Sequence, residues 1–587
     1  MSRIRRGIVV AWTIAVLAAL TGCVSIPRSG AVVPGDVAST RATSEVEIAA
    51  RPPDANASPR LIVEGFLQAM AAYEPDYATA REYLSDDART QWNPTSGVTV
   101  YADGHPITEH GGRVTLEAPV TGEVDARGAY SPTRVNRTWD FGLVRSTSGQ
   151  WRISHPPRGV IVSQFVFENF FQEVSLYWPE PQGTFLVPET VWVAQARRTP
   201  TALVQALLAG PGEWIAPAVG TAFPAEARLR RAVEVDAQGT AVVDLTGNLA
   251  SLTGDRGRLL AGQLTWTLGQ IPTITGVSIL DDGEPVAVTG LPESGTVIPV
   301  GDLSALDPVP SALGNRLLAV VDGKVVEVNQ GDQGVTLQPV PGTFGSGEEP
   351  RPGSLALAPF ADRAAVVSRD RSRVSDLDLG TGDVARTYDR LEEVLRPQFS
   401  RYGELWMIST VDGRQEVRVA VDGKTVRVDP GALQGARIRN FRLSPDGVRM
   451  AAVVESDDHP LLMLARIDRT GDTIEIGGAR VVPLLTTAQT PLTGVIDVGW
   501  LGAGDLVVLG STEDATQASP YRLDQNAVVV EQIGQPDQWE GREIATLPTS
   551  EGSRIVVVGA TGGMWRYEDE FTWPRLAEKV TSAAFPG

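Results

Sequence analysis

The chain has 587 residues, 42% of them hydrophobic, and a formal net charge of −20. This length predicts two or more domains, and a charged content of 21% is typical of folded protein, which excludes a wholly disordered chain. The negative charge disfavours nucleic acid as a partner, because a surface of this sign repels phosphate groups. Cys23 is the single cysteine, so intramolecular disulfides are excluded and packing alone must hold the fold together.

Residues 1–22 predict a secretory signal peptide. Three arginines within the first six residues precede a short apolar run, Ile8–Leu20, and this order is typical of such leaders. The run is shorter than the roughly 20 apolar residues that a membrane-spanning helix needs. It closes on Leu-Thr-Gly-Cys, which resembles the lipobox of bacterial lipoproteins. The resemblance implies cleavage before Cys23, an S-diacylglycerol on its sulfur and an N-acyl group; the alternative is an ordinary leader with an incidental cysteine.

Residues 23–57 predict the lipidated cysteine and a flexible tether, because serine, proline, glycine and threonine dominate this stretch. Residues 58–160 then predict an N-terminal α+β domain. It opens on a helix start at Ser58-Pro59 and continues with an apolar stripe at helical spacing, formed by Ile62, Val63, Phe66, Leu67 and Met70. A second short helix and four strands are expected over Tyr77–Leu84, Gly97–Tyr101, Arg113–Val124, Val135–Arg145 and Gln150–Ser154. Helices followed by a curved sheet are similar to the nuclear-transport-factor-like folds, whose cones often hold a pocket.

Residues 161–298 predict a linker helix and a second, α/β domain with the order β-α-β-β-α-β-β. The segment from residue 160 to 178 is rich in aromatic residues, among them Phe165, Phe167, Phe170 and Phe171. We expect these rings to pack one domain onto the next, and a binding stripe is the alternative. Farther along, Phe185–Pro188 and Val191–Val193 are expected to flank a turn.

The same region contains LVPET, TPTALVQALLAGP, AVVDLTG and QLTWTLGQIPTITGVSILDDG in this order. Together these motifs resemble the GerMN domain, first described in spore-germination lipoproteins. Asp244 lies inside an otherwise apolar strand and Gln263 lies on a helix. A buried aspartate needs a partner, because an unpaired charge in the interior is costly. We expect Asp244 to cap a neighbouring loop, in preference to a catalytic role.

Residues 299–587 contain an internal repeat of about 40 to 50 residues with a strand–turn–strand pattern, which predicts the blades of a β-propeller. Residues 354–368 match residues 439–454, and weaker copies begin near residues 396, 496 and 543. The last strand, near Val580–Phe585, has no partner strand after it, whereas Leu317–Val320 belong to a blade that lacks its first strand. We therefore expect the C-terminal strand to complete the first of about six blades and close the ring.

The residues that could support chemistry do not form a recognised catalytic motif. The chain lacks H-E-x-x-H, G-x-S-x-G and the phosphate-binding glycine loop, so we expect no metal and no cofactor. His105, Glu109 and His110 share a loop that we expect to face water. Asp376 and Asp378 precede Gly380-Thr-Gly-Asp383, which fits a strand and a tight turn better than a calcium loop. A pair of carboxylates from different blades could still meet at the propeller mouth, as glycoside hydrolysis requires.

Lipobox, tether, α+β domain, GerMN domain and a propeller with SPDG-type turns together resemble the actinobacterial LpqB lipoprotein family over essentially the whole chain. The overall class is therefore multidomain, α+β and all-β. The resemblance implies a non-enzymatic accessory of an MtrAB-type two-component system that acts on the extracellular domain of the sensor kinase. It also implies a lipid anchor at the outer face of the cell membrane. The alternatives are a protein that binds or processes cell-wall glycans through the propeller, or a small-molecule sensor that uses the N-terminal cone.

Overall fold

The computed structural model describes residues 50–587 apart from 196–197, 250–253, 287–295, 311–313, 332–333, 349–350, 422, 472, 487–489, 538 and 550–551. Cys23, the predicted leader and the predicted tether up to residue 49 lie outside the described residues. Within them, no helix combines the length and the apolar character needed to cross a bilayer.

The N-terminal domain consists of three short helices packed against a mainly antiparallel sheet. Its helices are α1 Pro59–Ala71, α2 Ala78–Glu82 and α3 Asp86–Gln91. Its strands are β1 Gly97–Tyr101, β2 Ile107–His110, β3 Arg113–Asp125, β4 Tyr130–Asp140, β5 Leu143–Arg145, β6 Trp151–Ile153 and β7 Val160–Ser163. The main sheet has the order β2-β3-β1-β7, with β4 paired to β3 and with β1 and β7 parallel.

The helix start and the apolar stripe of this domain are confirmed. The Ser58 side chain accepts a hydrogen bond from the Leu61 amide, and Ile62 and Phe66 are buried against the sheet. The expected single strand over residues 135–145 is wrong, because the chain turns at Phe141-Gly142 between β4 and β5. The turn places the Phe141 ring in the core, where it is fully buried, and it uses a positive φ of 55° at Gly142.

The middle domain follows directly. It contains helices α4 Gln164–Phe170, α5 Pro200–Leu208 and α6 Asp255–Leu268. Its strands are β8 Phe171–Pro179, β9 Leu186–Ala194, β10 Arg228–Leu229, β11 Glu234–Val235, β12 Thr240–Thr246, β13 Gly276–Asp281, β14 Glu284–Pro285 and β15 Val297–Pro299. One sheet runs β10-β12-β13-β14, with β11 added to β12 and β15 added to β13, and β8 and β9 form a separate hairpin.

Two expectations for this domain need correction. The predicted turn between Pro188 and Val191 does not form, because β9 continues through it and pairs along its whole length with β8. The aromatic residues of the segment differ in burial. Phe167 and Phe171 are buried in the N-terminal core as expected, whereas the Phe165 side chain is 60% exposed. Phe165 lies in the first turn of α4, on the side that turns away from that core.

The third domain is a β-propeller of six four-stranded sheets in the described part of the chain. The first blade contains β16 Leu318–Val321, β17 Lys324–Gly331 and β18 Gly334–Pro339, and a short helix, α7 Thr343–Ser346, follows it. Blades 2 and 3 are β19 Pro352–Leu357, β20 Arg363–Ser368, β21 Val374–Asp378, β22 Val384–Tyr388, β23 Gln398–Phe399, β24 Leu405–Val411, β25 Arg414–Val421 and β26 Lys424–Arg427. Blades 4 and 5 are β27 Ile438–Leu443, β28 Arg449–Val454, β29 Leu461–Thr470, β30 Thr473–Val482, β31 Asp497–Trp500, β32 Asp505–Gly510, β33 Ser519–Asp524 and β34 Val530–Gln532. Blade 6 and the closing strand are β35 Gly541–Thr549, β36 Gly552–Gly559, β37 Met564–Arg566, β38 Arg575–Ala577 and β39 Val580–Ala584.

The predicted closure of the ring is confirmed. Strand β39 pairs antiparallel with β16, with Ala584 opposite Leu318 and Ser582 opposite Val320. The last strand of the chain therefore becomes the innermost strand of blade 1, and blades 1 and 6 are joined without an open edge between them. This arrangement fixes the inner strands of all six blades around a central channel.

Candidate functional site

The centre of the propeller channel holds a buried network of charged side chains built around Asp497. This carboxylate, at the start of β31, has no exposed surface. It accepts hydrogen bonds from the Arg442 guanidinium at 2.9 and 3.0 Å and from the Asn440 amide at 2.7 Å. The backbone N–H groups of Val498 and Ile544 donate to it at 2.8 and 2.9 Å. Burial raises the pKa of the Asp497 carboxyl to about 6, while Arg396 and these backbone donors act in the opposite direction.

Arg396 extends the network to a second carboxylate. Its guanidinium lies 3.5 Å from Asp497 and 2.5 Å from Glu543, and it also donates to the Ile544 carbonyl at 2.9 Å. Glu543 in turn accepts from the Ser582 hydroxyl and from the Ala583 amide, both at 2.9 Å. The groups belong to the inner strands of blades 4, 5, 6 and 1 and to the residues just before β23 in blade 3. The network therefore ties five blades together across the axis.

This geometry decides what the channel can do chemically. The two acids that converge there are each paired with arginine and also bound by backbone donors, and two arginines balance their two charges. The adjoining cavity, lined by Arg396, Arg442 and Trp500 among others, has a volume of only about 70 Å³. Acid–base catalysis at a sugar needs one carboxyl group that is protonated and one that is free to act on substrate or water. The described channel residues do not supply such a pair.

A buried ion pair, Asp446–Arg449, joins the propeller to the middle domain at the turn Ser444-Pro-Asp-Gly447 of blade 4. Asp446 and Arg449 are buried and form an ion pair at 2.5 Å. Arg449 also donates to the carbonyls of Pro188 in β9 and Ala503 in blade 5. The SPDG turn predicted from the repeat is therefore buried beneath the β8–β9 hairpin, where it contributes to a domain junction.

Apolar and aromatic contacts surround this ion pair. Phe185, Val187, Ile215 and Ala218 of the middle domain pack against Val448 of the propeller. The Arg401 guanidinium lies 3.8 Å from the centre of the Phe185 ring, a cation–π contact. Residues of the N-terminal core also contact the propeller through Val528 of blade 5. The three domains consequently form one compact unit.

Sequence comparison places this architecture in a known family. The model for "Lipoprotein LpqB, N-terminal domain" matches residues 52–168, and the model for "Lipoprotein LpqB beta-propeller domain" matches residues 323–586. The Germane model, described as "Sporulation and spore germination", matches residues 175–287. Lipoprotein LpqB of Cutibacterium acnes is 31% identical over 582 residues, which cover 96% of this chain and 97% of that relative. The chain belongs to the LpqB lipoprotein family.

Another relative and one solved structure are also similar to this chain. Lipoprotein LpqB of Streptomyces avermitilis is 28% identical and covers 97% of this chain and 96% of its own length. Among solved structures, TolB from Acinetobacter baumannii is similar with a TM-score of 0.33 and 13% identity, over 54% of this chain and 84% of that chain. Membership of a lipoprotein family associates the chain with a membrane.

The predicted structural role of Asp244 is confirmed in this LpqB-family protein. Its carboxylate is buried, accepts a hydrogen bond from the Gly283 amide at 2.9 Å and lies 3.1 and 3.2 Å from Arg230 and Arg231. It thereby caps the turn between β13 and β14. Gln263 is fully buried and bridges two backbone groups, accepting from Ala222 and donating to the Tyr177 carbonyl.

The remaining candidates are surface or turn residues. His105, Glu109 and His110 are exposed, as expected, but Glu109 and His110 lie in strand β2 and not in a loop. Asp378 accepts hydrogen bonds from the amides of Gly380 and Thr381 at 2.9 and 2.8 Å, which confirms the strand and tight turn. No cluster of three or more His, Cys, Asp or Glu side chains in the described part of the chain has metal-binding geometry.

Sequence reasoning missed the channel network, although a signal for it exists. In five of the six blades, the repeat places a polar residue in or just before the inner strand, where apolar residues otherwise dominate: Arg396, Asn440, Asp497, Glu543 and Ser582. Aligned by the repeat, these residues occur at similar positions, and inner strands of a propeller face a common axis. Arg449 gave no comparable signal, because its partner Pro188 lies in another domain.

Proposed function

We propose that this LpqB-family protein is a lipid-anchored, non-enzymatic accessory of a sensor histidine kinase of the MtrB type. In this proposal Cys23 carries the S-diacylglycerol and the N-acyl group, and the chain is held at the extracytoplasmic face of the cytoplasmic membrane. More than one acyl chain would supply stable anchoring, since each buried methylene contributes about 0.8 kcal/mol and a single chain binds only marginally.

The proposed organisation assigns a task to each segment. Residues 1–22 would be the leader, residues 23–57 the anchor and tether, residues 58–160 the N-terminal domain, residues 161–298 the GerMN domain and residues 299–587 the propeller. The tether would let the folded part stand off the membrane, where the outer domain of a kinase is accessible. No nucleic acid partner and no cofactor is proposed.

The observation that carries the non-enzymatic assignment is the pairing of Asp497 and Glu543 with arginines and backbone donors in the channel. An acid held in this way is unavailable for proton transfer to a substrate. The same observation argues against glycan processing through the propeller, the alternative function. Glycan binding on another surface is tested directly by retention of the protein on purified wall polymer.

Regulation of a kinase requires that the accessory protein bind one state of the kinase more tightly than the other, because equal affinity shifts no equilibrium. The packed three-domain unit favours this mechanism, since a rigid surface can distinguish two arrangements of a partner. The kinase itself comes from the family resemblance described above. Its contact surface is the part of the proposal that the experiment must locate.

The decisive experiment reconstitutes the full lipidated chain with an intact MtrB-type kinase in lipid nanodiscs and measures kinase autophosphorylation. We expect the folded protein to bind the kinase and change its rate, and a propeller-destabilised Asp497→Ala protein to do neither. Absence of binding with both proteins folded would refute the kinase role. Retention on wall polymer without any effect on the kinase would favour the alternative.

A second experiment tests the anchor. Mass spectrometry of the membrane-extracted protein is expected to find lipid on residue 23 as the first mature residue. Cys23→Ala should prevent lipidation and cleavage at this position, whereas Ser25→Ala should change neither. An unmodified thiol on the wild-type protein, or wild-type protein shed freely into the medium, would contradict the anchor.

A further inference from the structure

A cleft of about 410 Å³ lies between the N-terminal domain and the middle domain. Pockets that bind small molecules typically measure about 300–1,000 Å³, so this cleft is large enough for a ligand and the channel cavity is not. One wall comes from helix α5 and the other from the turn between β3 and β4. The cleft lies at a boundary between two domains, where sequence patterns give no signal.

Aromatic side chains form the base of the cleft. Tyr73, Tyr77, Phe171 and Trp192 all contribute to its lining. The rings of Tyr73 and Phe171 meet edge to face with centroids 5.0 Å apart, and those of Tyr73 and Tyr77 are 5.8 Å apart. Their neighbours in the N-terminal core hold them in place. The lining of the cleft thus contains several aromatic side chains held in fixed positions.

The backbone beneath these rings is strained. Tyr73, Asp76 and Tyr77 have φ values of 51°, 54° and 52°, in the left-handed region that bulky side chains rarely adopt. Such residues persist where the surrounding structure imposes them, and they cluster at ligand sites. Two of the three are the tyrosines that line the cleft. Packing of the domain therefore maintains an unfavourable local conformation that places both rings at its base.

Two carboxylates lie at the same cleft. Glu189 accepts hydrogen bonds from the Trp178 indole at 2.8 Å and from the Gly212 amide at 3.0 Å. Asp125 accepts through Oδ1 from the amides of Arg127 and Ala129 at 2.8 and 2.9 Å. A carboxylate offers about four acceptor positions, so both can accept further donors.

Among the described residues that line the cleft, Arg127 is the one basic residue, and its side chain binds a backbone carbonyl. The Arg127 guanidinium donates to the Pro211 carbonyl at 2.9 Å, so it does not pair with either acid. Burial raises the pKa of Glu189, whereas hydrogen bonds from Gly212 and Trp178 and the charge of Arg449 lower it; repulsion from Asp125 adds a smaller increase. A bound cation would offset that repulsion between the two acids.

We propose that the cleft binds an organic cation, namely a protonated amine or guanidinium on an apolar or aromatic body. The body would pack against Trp192 and the small exposed parts of Tyr73 and Tyr77, where a cation also gains from the neighbouring aromatic rings. The ammonium group would donate to Glu189 and Asp125. The net charge of −20 would draw cations towards the protein and repel anions.

Three probes of similar size test this class of ligand: phenethylammonium, neutral 2-phenylethanol and anionic 3-phenylpropionate. Binding to the full lipidated chain in detergent is measured by isothermal titration calorimetry and by saturation-transfer NMR. We expect phenethylammonium to bind at least tenfold more tightly than 2-phenylethanol, and 3-phenylpropionate to show no saturable binding. Equal binding of all three, tighter binding of the anion, or no binding of any probe would overturn the proposal.

Variants locate the binding. Glu189→Gln should weaken the binding of phenethylammonium about tenfold and leave the affinity for 2-phenylethanol unchanged. Glu234→Gln, on the exposed surface, should alter neither affinity. Asp125→Asn, in an exposed turn, gives the same test if Glu189→Gln fails to fold.

Ala206→Trp should fill the cleft and abolish binding, while Ala225→Trp on the surface of the same domain should not. Binding that survives Ala206→Trp would place the site elsewhere and overturn the proposal. None of these readouts depends on the kinase, so this site and the proposed function can fail separately.

Discussion

The propeller channel and the cleft between the first two domains both bring carboxylates together, but they neutralise them differently. In the channel, Asp497 and Glu543 are each paired with arginine. In the cleft, the hydrogen bonds to Glu189 and Asp125 come from neutral amide and indole groups, and the Arg127 guanidinium donates to a backbone carbonyl. Carboxylates that are fully paired with arginines stabilise the fold, whereas carboxylates that can still accept hydrogen bonds can bind a ligand. The comparison separates a structural centre from a candidate ligand site within one protein.

The largest expected effect comes from removing the central acid of the channel. Asp497→Ala would leave Arg442 and Arg396 buried without their shared partner, and breaking such a buried pair typically costs about 3–5 kcal/mol. Chemical denaturation should show a loss near the top of that range. Asp458→Asn, in an exposed turn of the same blade as Arg442, should change stability by less than about 0.5 kcal/mol. Equal effects of the two variants would show that the channel network contributes little.

A somewhat smaller loss is expected at the junction between propeller and middle domain. Arg449→Met would leave Asp446 buried and unpaired and would remove the bond to the Pro188 carbonyl. We expect a loss of about 3 kcal/mol, together with faster proteolysis of the segments that join the two domains. Phenethylammonium binding should persist, because Asp446, Arg449 and Pro188 do not line the cleft. Loss of binding with an intact junction would contradict the separation of the two regions.

The next effect depends on pH. Glu173, in β8, is an exposed residue whose carboxyl lies near Asp524 and Asp505 of blade 5. Local desolvation and this repulsion raise its pKa from 4.5 to about 7, while a hydrogen bond from Thr190 opposes the shift. Between these values the folded protein binds more protons than the unfolded chain, so the free energy of unfolding falls as pH rises towards about 7. Melting temperatures of the wild type and Glu173→Gln, measured from pH 5 to 8, should diverge, with the variant showing the shallower decline. Glu109→Gln, on the exposed surface, should follow the wild type; parallel curves for Glu173→Gln would refute the assignment.

The smallest effect concerns the strained loop at the base of the cleft. Asp76→Gly relieves a left-handed backbone conformation that costs a non-glycine residue roughly 1–2 kcal/mol, although glycine also increases the entropy of the unfolded chain. The net result should be a gain of about 0.5 kcal/mol in the free energy of unfolding. Thr90→Gly, within α3, should instead lose about 0.5–1 kcal/mol. Destabilisation by both variants would show that the loop is not strained.

Local patterns were enough to predict much of the fold. Ser58-Pro59 and the stripe that follows it specify a helix, because capping and helical periodicity act within a few residues. The repeat predicted the propeller, and the unpaired last strand predicted its closure on the strand that contains Leu317–Val320, which the pairing with Leu318–Val321 confirms. Asp244 was recognised as a structural cap, since a lone acid in an apolar strand requires a nearby partner. The leader that ends at Cys23 is likewise a local pattern, and its lipid remains a prediction.

The sites were decided by contacts between distant segments. Arg396 and Asp497 are 101 positions apart, and Arg449 is 261 positions from Pro188. No short-range pattern encodes such pairs, because their energies arise only when packed domains exclude water from charged groups. The cleft has the same origin: its walls belong to two domains that are each regular in sequence. Composition, periodicity and caps therefore determined the modules, while the tertiary structure alone decided which charges are neutralised in the interior and which are left to meet a ligand.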